Sequence, residues 1–129
     1  MSNISELFSG GRGLSWSKVT ANTTAKNGNG YLIYASAALT VTLPASPSEG
    51  DKVGICDAKS TASQYVLTIA RNGNNIEASA QDLIIDTDGS GFELVYVDST
   101  VGWKIVSEIT YSLGSSENSV DQLQVWAFE

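Results

Sequence analysis

Short apolar runs, cut at close intervals by Asn-Gly or Asp-Gly pairs, constrain this chain more than any other feature. Residues 66–106 read VLTIARNGNNIEASAQDLIIDTDGSGFELVYVDSTVGWKIV. LTIA gives way to RNGNN, DLIID to TDGSG, and LVYVD to STVG before WKIV. Runs of β-branched and aromatic residues between such pairs are strands, and Asn-Gly or Asp-Gly is the strongest short-range hairpin signal. The segment therefore predicts a ladder of hairpins.

The same pattern extends upstream. YLIYA (31–35), LTVTLP (39–44), KVGIC (52–56) and YVLTIA (65–70) read as strands, followed by NIEA (75–78), DLIID (82–86), GFELVYVD (91–98) and GWKIVS (102–107). In LTVTLP, Leu39, Val41 and Leu43 alternate with Thr40 and Thr42, so one face is buried. Pro44 ends that run. Connections of about two to six residues suit antiparallel meanders, since parallel crossovers need a dozen or more. ITYS (109–112) and LQVWAF (123–128) are two further candidate strands. The expected fold is all-β: a small antiparallel β-sandwich or barrel-like meander with a short N-terminal anchoring segment.

That segment is the start of the chain. Ile4, Leu7 and Phe8 share one face of a helical turn, which Asn3 can cap. A helix so short is not stable alone and needs a surface to lie on. GGRG (10–13) then makes a hinge. In LSWSKV, Leu14, Trp16 and Lys18 alternate with Ser15, Ser17 and Val19, as in an extended arm or edge strand. The expected organisation is an anchor and linker arm over residues 1–24 and a β domain over 25–129.

Composition excludes several functions. The 129 residues carry 14 acidic and 7 basic side chains, a net charge of −7, and the basic ones are scattered. Nucleic-acid binding needs clustered Lys and Arg, so no such partner is expected. No apolar run reaches the roughly 20 residues that span a bilayer, and MSNISELFSGG lacks the pattern of a secretory signal. The expected site of assembly is the cytoplasm. His is absent, which removes the commonest general base and zinc ligand. The single Cys56 allows no internal disulfide or thiolate cluster and reads as a small buried apolar residue. Neither an enzyme nor a bound cofactor or metal is expected.

Three acidic groupings stand out in the sequence. Asp86, Asp88 and Ser90 with Gly91 match the first half of an EF-hand calcium loop, but Val97 stands where a bidentate Glu belongs and the flanks are strand-like. A hairpin turn is the better reading. Glu49, Asp51 and Asp57 read as solvated loop charge. Asp82, Asp86 and Glu93 could supply a glycosidase pair, but a sugar cleft is usually lined by aromatics and the domain is small for one.

The run LTVTLPASPSEGDKVGICD, followed by YVLTIARNGNNIEASAQDLIIDTDGSGFELVYVDSTVGWKIV, resembles a β-rich module of tailed-bacteriophage virion proteins. The shared elements are Thr42-Leu43-Pro44, Gly50-Asp51, the turn from Thr68 to Gly73, the strand from Leu94 to Val97, and Gly102-Trp103. They cover about residues 20–107 and are structural in kind. The resemblance implies a homotrimeric head-fibre or capsid decoration protein, non-enzymatic, held to capsid or tail proteins of the virion. Ile4, Leu7, Phe8 and Trp16 would be its anchor. The alternative it implies is a tail-fibre or adhesin tip that binds a host-surface glycan, with Tyr65 and Tyr111 as stacking platforms.

Overall fold

The computed structural model describes residues 13–106. Their regular elements are nine strands: β1 (Ser15–Val19), β2 (Thr23–Thr24), β3 (Asn29–Ile33), β4 (Leu39–Thr42), β5 (Lys52–Asp57), β6 (Leu67–Ala70), β7 (Leu83–Ile85), β8 (Gly91–Asp98) and β9 (Gly102–Val106). No described residue is helical.

Two sheets result, in the orders β1-β3-β5-β8-β9 and β2-β4-β6-β7. From β1 to β6 every step along the chain changes sheet. The chain thus winds as a flattened coil, and strands one turn apart stack in parallel: β1 on β3 and β3 on β5, β2 on β4 and β4 on β6. A parallel pair needs a long crossover. Here a strand of the facing sheet provides it. The remaining strands close the coil antiparallel, with β7 on β6, β8 on β5 and β9 on β8.

Both sheets send alternate side chains into one core. Tyr31, Ile33, Val53, Ile55, Phe92, Leu94 and Trp103 come from the five-stranded sheet, and Leu39, Val41, Leu67, Ile69 and Ile85 from the other. Each such burial contributes about 1.5–3 kcal/mol. The indole of Trp103 meets the Tyr96 ring edge-on, with centroids 5.5 Å apart.

The expected all-β class is present. Two of its details are corrected: the sheets are mixed rather than antiparallel, and among the described residues no barrel closes. Alternation reports which face of a strand is buried, not which strand lies beside it, so short links that hop between sheets were read as hairpins. β8 and β9 do form a hairpin, whose turn is tied by Asp98 Oδ1 accepting the amides of Thr100 and Val101. Residues 75–78 are not a strand. Glu77 and Ala78 both adopt left-handed φ (53° and 62°) in a tight turn between Ile76 and Ser79, whose amides and carbonyls bond reciprocally. That turn lies along β9, where Asn75 O accepts from Trp103 N and Trp103 O from Glu77 N, each at 2.8 Å. The candidate strands 109–112 and 123–128 lie outside the described residues.

Candidate interaction surface

Three of the anchor residues read from the sequence, Ile4, Leu7 and Phe8, lie outside the described residues. Trp16, the fourth, is on β1. Its register partner is Gly30, which pairs in turn with Gly54 on β5. These two glycines form a slot on the outer face of the sheet. A Cβ on Gly30 would overlap the Trp16 ring, and one on Gly54 would lie 2.7 Å from Trp16 Cη2. The indole therefore lies flat over two bare backbones and remains 44% exposed. Glycine inside a strand run marks a close approach of this kind, so NGYLI and KVGIC carried a readable signal for the slot.

Tyr34 lies on the same outer face, at the parity of Gly30 and Leu32, and is 42% exposed. Lys18 Nζ sits 4.2 Å from its ring centroid and Lys59 Nζ 4.8 Å, cation–π distances. Among the described residues the only ion pair is Lys104 with Glu77, so neither lysine has a carboxylate partner. This places two ammonium groups at one exposed aromatic. Sequence reasoning missed Tyr34 and Lys59. Nothing links them along the chain, although the burial of Tyr31 and Ile33 turns Tyr34 outward.

The acidic groupings turn out to be fastenings. Asp57 is buried, contrary to the expectation of solvated charge. Its Oδ2 accepts the amides of Ala62 and Gly89, each at 2.9 Å, and its Oδ1 that of Thr61 at 3.3 Å. Residues 86–91 form a turn with Gly89 at φ 78°, and Asp88 Oδ1 accepts from Ser63 N at 2.8 Å. Asp82 Oδ1 accepts from Arg71 N, and Asp51 Oδ2 from Ser48 N. Asp82 adjoins β7 in one sheet and Glu93 belongs to β8 in the other. Among the described residues no three acidic or Cys side chains gather as a metal site.

Cys56 is only half-buried, on the outer parity of β5 rather than in the core. Burial, and then the neighbouring Asp57 charge, push its thiol pKa above the ordinary value. It is a poor nucleophile at neutral pH. Tyr65 is half-buried against the core, which leaves little ring for stacking; Tyr111 lies outside the described residues.

No protein-family model matches the sequence, and comparison with curated proteins finds no match.

Proposed function

We propose that this chain is a non-enzymatic structural protein of a phage particle, a head-fibre or capsid decoration protein that displays a β-rich knob. The observation that carries the reading is where its family-like motifs fall. Thr42-Leu43-Pro44 ends β4 on the fully buried Leu43; Gly50-Asp51 turns into β5 with Gly50 at φ 88°. Asn72 and Gly73 supply the left-handed turn after β6. Gly102-Trp103 opens β9 with the fully buried Trp103. Each of these four motifs is a hinge or pillar of the scaffold. The aspartates that secure loops, Asp51, Asp57, Asp82, Asp88 and Asp98, are engaged with backbone amides rather than gathered for chemistry.

Attachment to capsid or tail proteins is assigned to Ile4, Leu7, Phe8 and Trp16. Immunogold labelling should place the chain on intact particles. Particles assembled with the Leu7→Asp, Phe8→Asp double variant should lose the label while the variant stays folded in solution. Full retention of label would sink the anchor, and absence of the wild-type chain from particles would sink the virion reading itself.

A second reading, a tail-fibre or adhesin tip for a host-surface glycan, draws support from Tyr34. An exposed ring with two ammonium groups against it suits an acidic sugar. Binding to carboxylated glycans on an array, lost in Tyr34→Ala, would favour it; an array without signal would dismiss it.

A further inference from the structure

Three Asn-Gly pairs occur in the chain, Asn27-Gly28, Asn29-Gly30 and Asn72-Gly73. Such a pair can consume its own side-chain amide, because no Cβ hinders the glycine nitrogen as it attacks the asparagine Cγ. The fold sets the three apart. Gly28 N donates to Lys52 O at 2.8 Å, and Asn27 Oδ1 accepts from Lys52 N at 2.8 Å. Gly30 lies within β3, which pairs with β1 on one side and β5 on the other. Ser15 is in register with Asn29 and donates to Gly28 O, so the alternation of a parallel ladder directs the Gly30 amide to Ser15 O. Releasing either glycine nitrogen means parting β3 from a neighbouring strand. Asn72-Gly73 is held more lightly. Both residues are exposed and left-handed, at φ 50° and 89°, in a turn closed by Asn74 N donating to Arg71 O at 3.1 Å. The Gly73 amide takes no part in that closing bond. The Asn72 side chain is tied by its Nδ2, which donates to Leu43 O at 2.9 Å.

We propose that Asn72 is a site of spontaneous deamidation, and that the reaction unhooks the turn after β6 from the end of β4. The Gly73 nitrogen bonds to Asn72 Cγ; the Cγ–Nδ2 bond breaks, and Nδ2 leaves as ammonia with the proton from the Gly73 amide. Water then opens the cyclic imide. Cleavage at Cγ gives aspartate, and cleavage at the backbone carbonyl gives isoaspartate. Either product has a carboxylate where Nδ2 was. An oxygen without a proton cannot donate to Leu43 O, and two acceptors face each other. Isoaspartate also adds a backbone methylene to the turn. The bond that is lost joins two of the family-like motifs, Thr42-Leu43-Pro44 and the turn from Thr68 to Gly73. The reaction needs only water, and it does not depend on the virion reading.

The unmutated chain provides the test. Samples held in mildly alkaline buffer, folded or in concentrated urea, are digested and mapped by mass spectrometry over time. In the folded chain Asn72 should convert roughly tenfold or more faster than Asn27 and Asn29, because only those two need strands to open. In urea, where no ladder protects a nitrogen, the three rates should agree within about threefold. Asn72→Asp reproduces one product. Aspartate tolerates the left-handed turn, so a fall in melting temperature of about 4–8 °C would report the lost bond to Leu43 O. Equal rates at the three sites in the folded chain would overturn the proposal. So would an Asn72 that reacts in urea yet stays intact in the fold, or an Asn72→Asp chain that melts with wild type.

Discussion

The carboxylate of Asp57 accepts the amide of Gly89 at 2.9 Å across a sequence separation of 32 residues. One buried side chain thereby fastens the loop after β5 and the turn before β8 together. Asp57→Ala would leave the amides of Thr61, Ala62 and Gly89 without their acceptor. Unpaired buried donors are costly, so the substitution should destabilise by about 2–4 kcal/mol in urea unfolding. Asp57→Asn, which keeps one acceptor oxygen, should cost less than Asp57→Ala. Equal losses for the two would reject the acceptor role.

The same fastening predicts indifference to calcium. Asp88 accepts from Ser63 N, and among the described residues no three acidic or Cys side chains gather as a metal site. A ligand that binds the folded chain raises its melting temperature by mass action. Millimolar calcium should leave that temperature within about 1 °C of its value in chelator. A rise of several degrees would restore the calcium reading of residues 86–91.

How much of this was legible in the sequence depends on what each residue reports. Leu39, Val41 and Leu43 announced their inward face through alternation, and the strands Gly91–Asp98 and Gly102–Val106 were read nearly to the residue. Pairing was not legible, because LTVT and LTIA align side by side in parallel only after a passage through the other sheet. Asp57 looked like loop charge because its amide partners come from residues 61, 62 and 89. Trp16 was singled out by its type, but the flat seat beneath it needed Gly30 and Gly54 brought into register.

Two glycines with similar φ should respond differently to a methyl group. Gly50 (φ 88°) has nothing within 4 Å of an added Cβ, so Gly50→Ala should cost about 1 kcal/mol, the left-handed penalty alone. At Gly102 (φ 72°) an added Cβ would overlap the carbonyl of Asn75. Gly102→Ala should cost about 3 kcal/mol or more and release the 75–79 turn from β9, exposing the Trp103 amide to exchange. Similar costs at both positions would show that the contact with Asn75 yields freely.

Ala78 offers the opposite opportunity. Its φ of 62° carries a left-handed penalty of about 1–2 kcal/mol, which glycine avoids while giving up some unfolded-state entropy. Ala78→Gly should therefore stabilise the fold by about 0.5–1 kcal/mol and keep the bond from its amide to Val101 O. Thermal denaturation would measure the shift, and a lower melting temperature would refute it.

Glu77 ties the same turn to β9 through charge. Its Oε1 meets Lys104 Nζ at 2.8 Å and its Oε2 accepts from Ile105 N at 2.7 Å. The Lys104 hydrogen bond first, then the Ile105 amide, hold its pKa below the ordinary 4.5. A carboxyl whose folded pKa is depressed stabilises the fold above its unfolded pKa, and that contribution disappears as pH falls through the folded pKa. Both side chains are substantially exposed, so solvent screening limits the effect to about 1 kcal/mol or less. Wild type should exceed Glu77→Gln in urea stability at pH 7, and the gap should narrow as pH falls below about 4.5. High salt should narrow it at pH 7 as well, by screening the Lys104 pair. A gap unchanged between pH 7 and pH 3 would mean that the ionised carboxylate does not secure the turn.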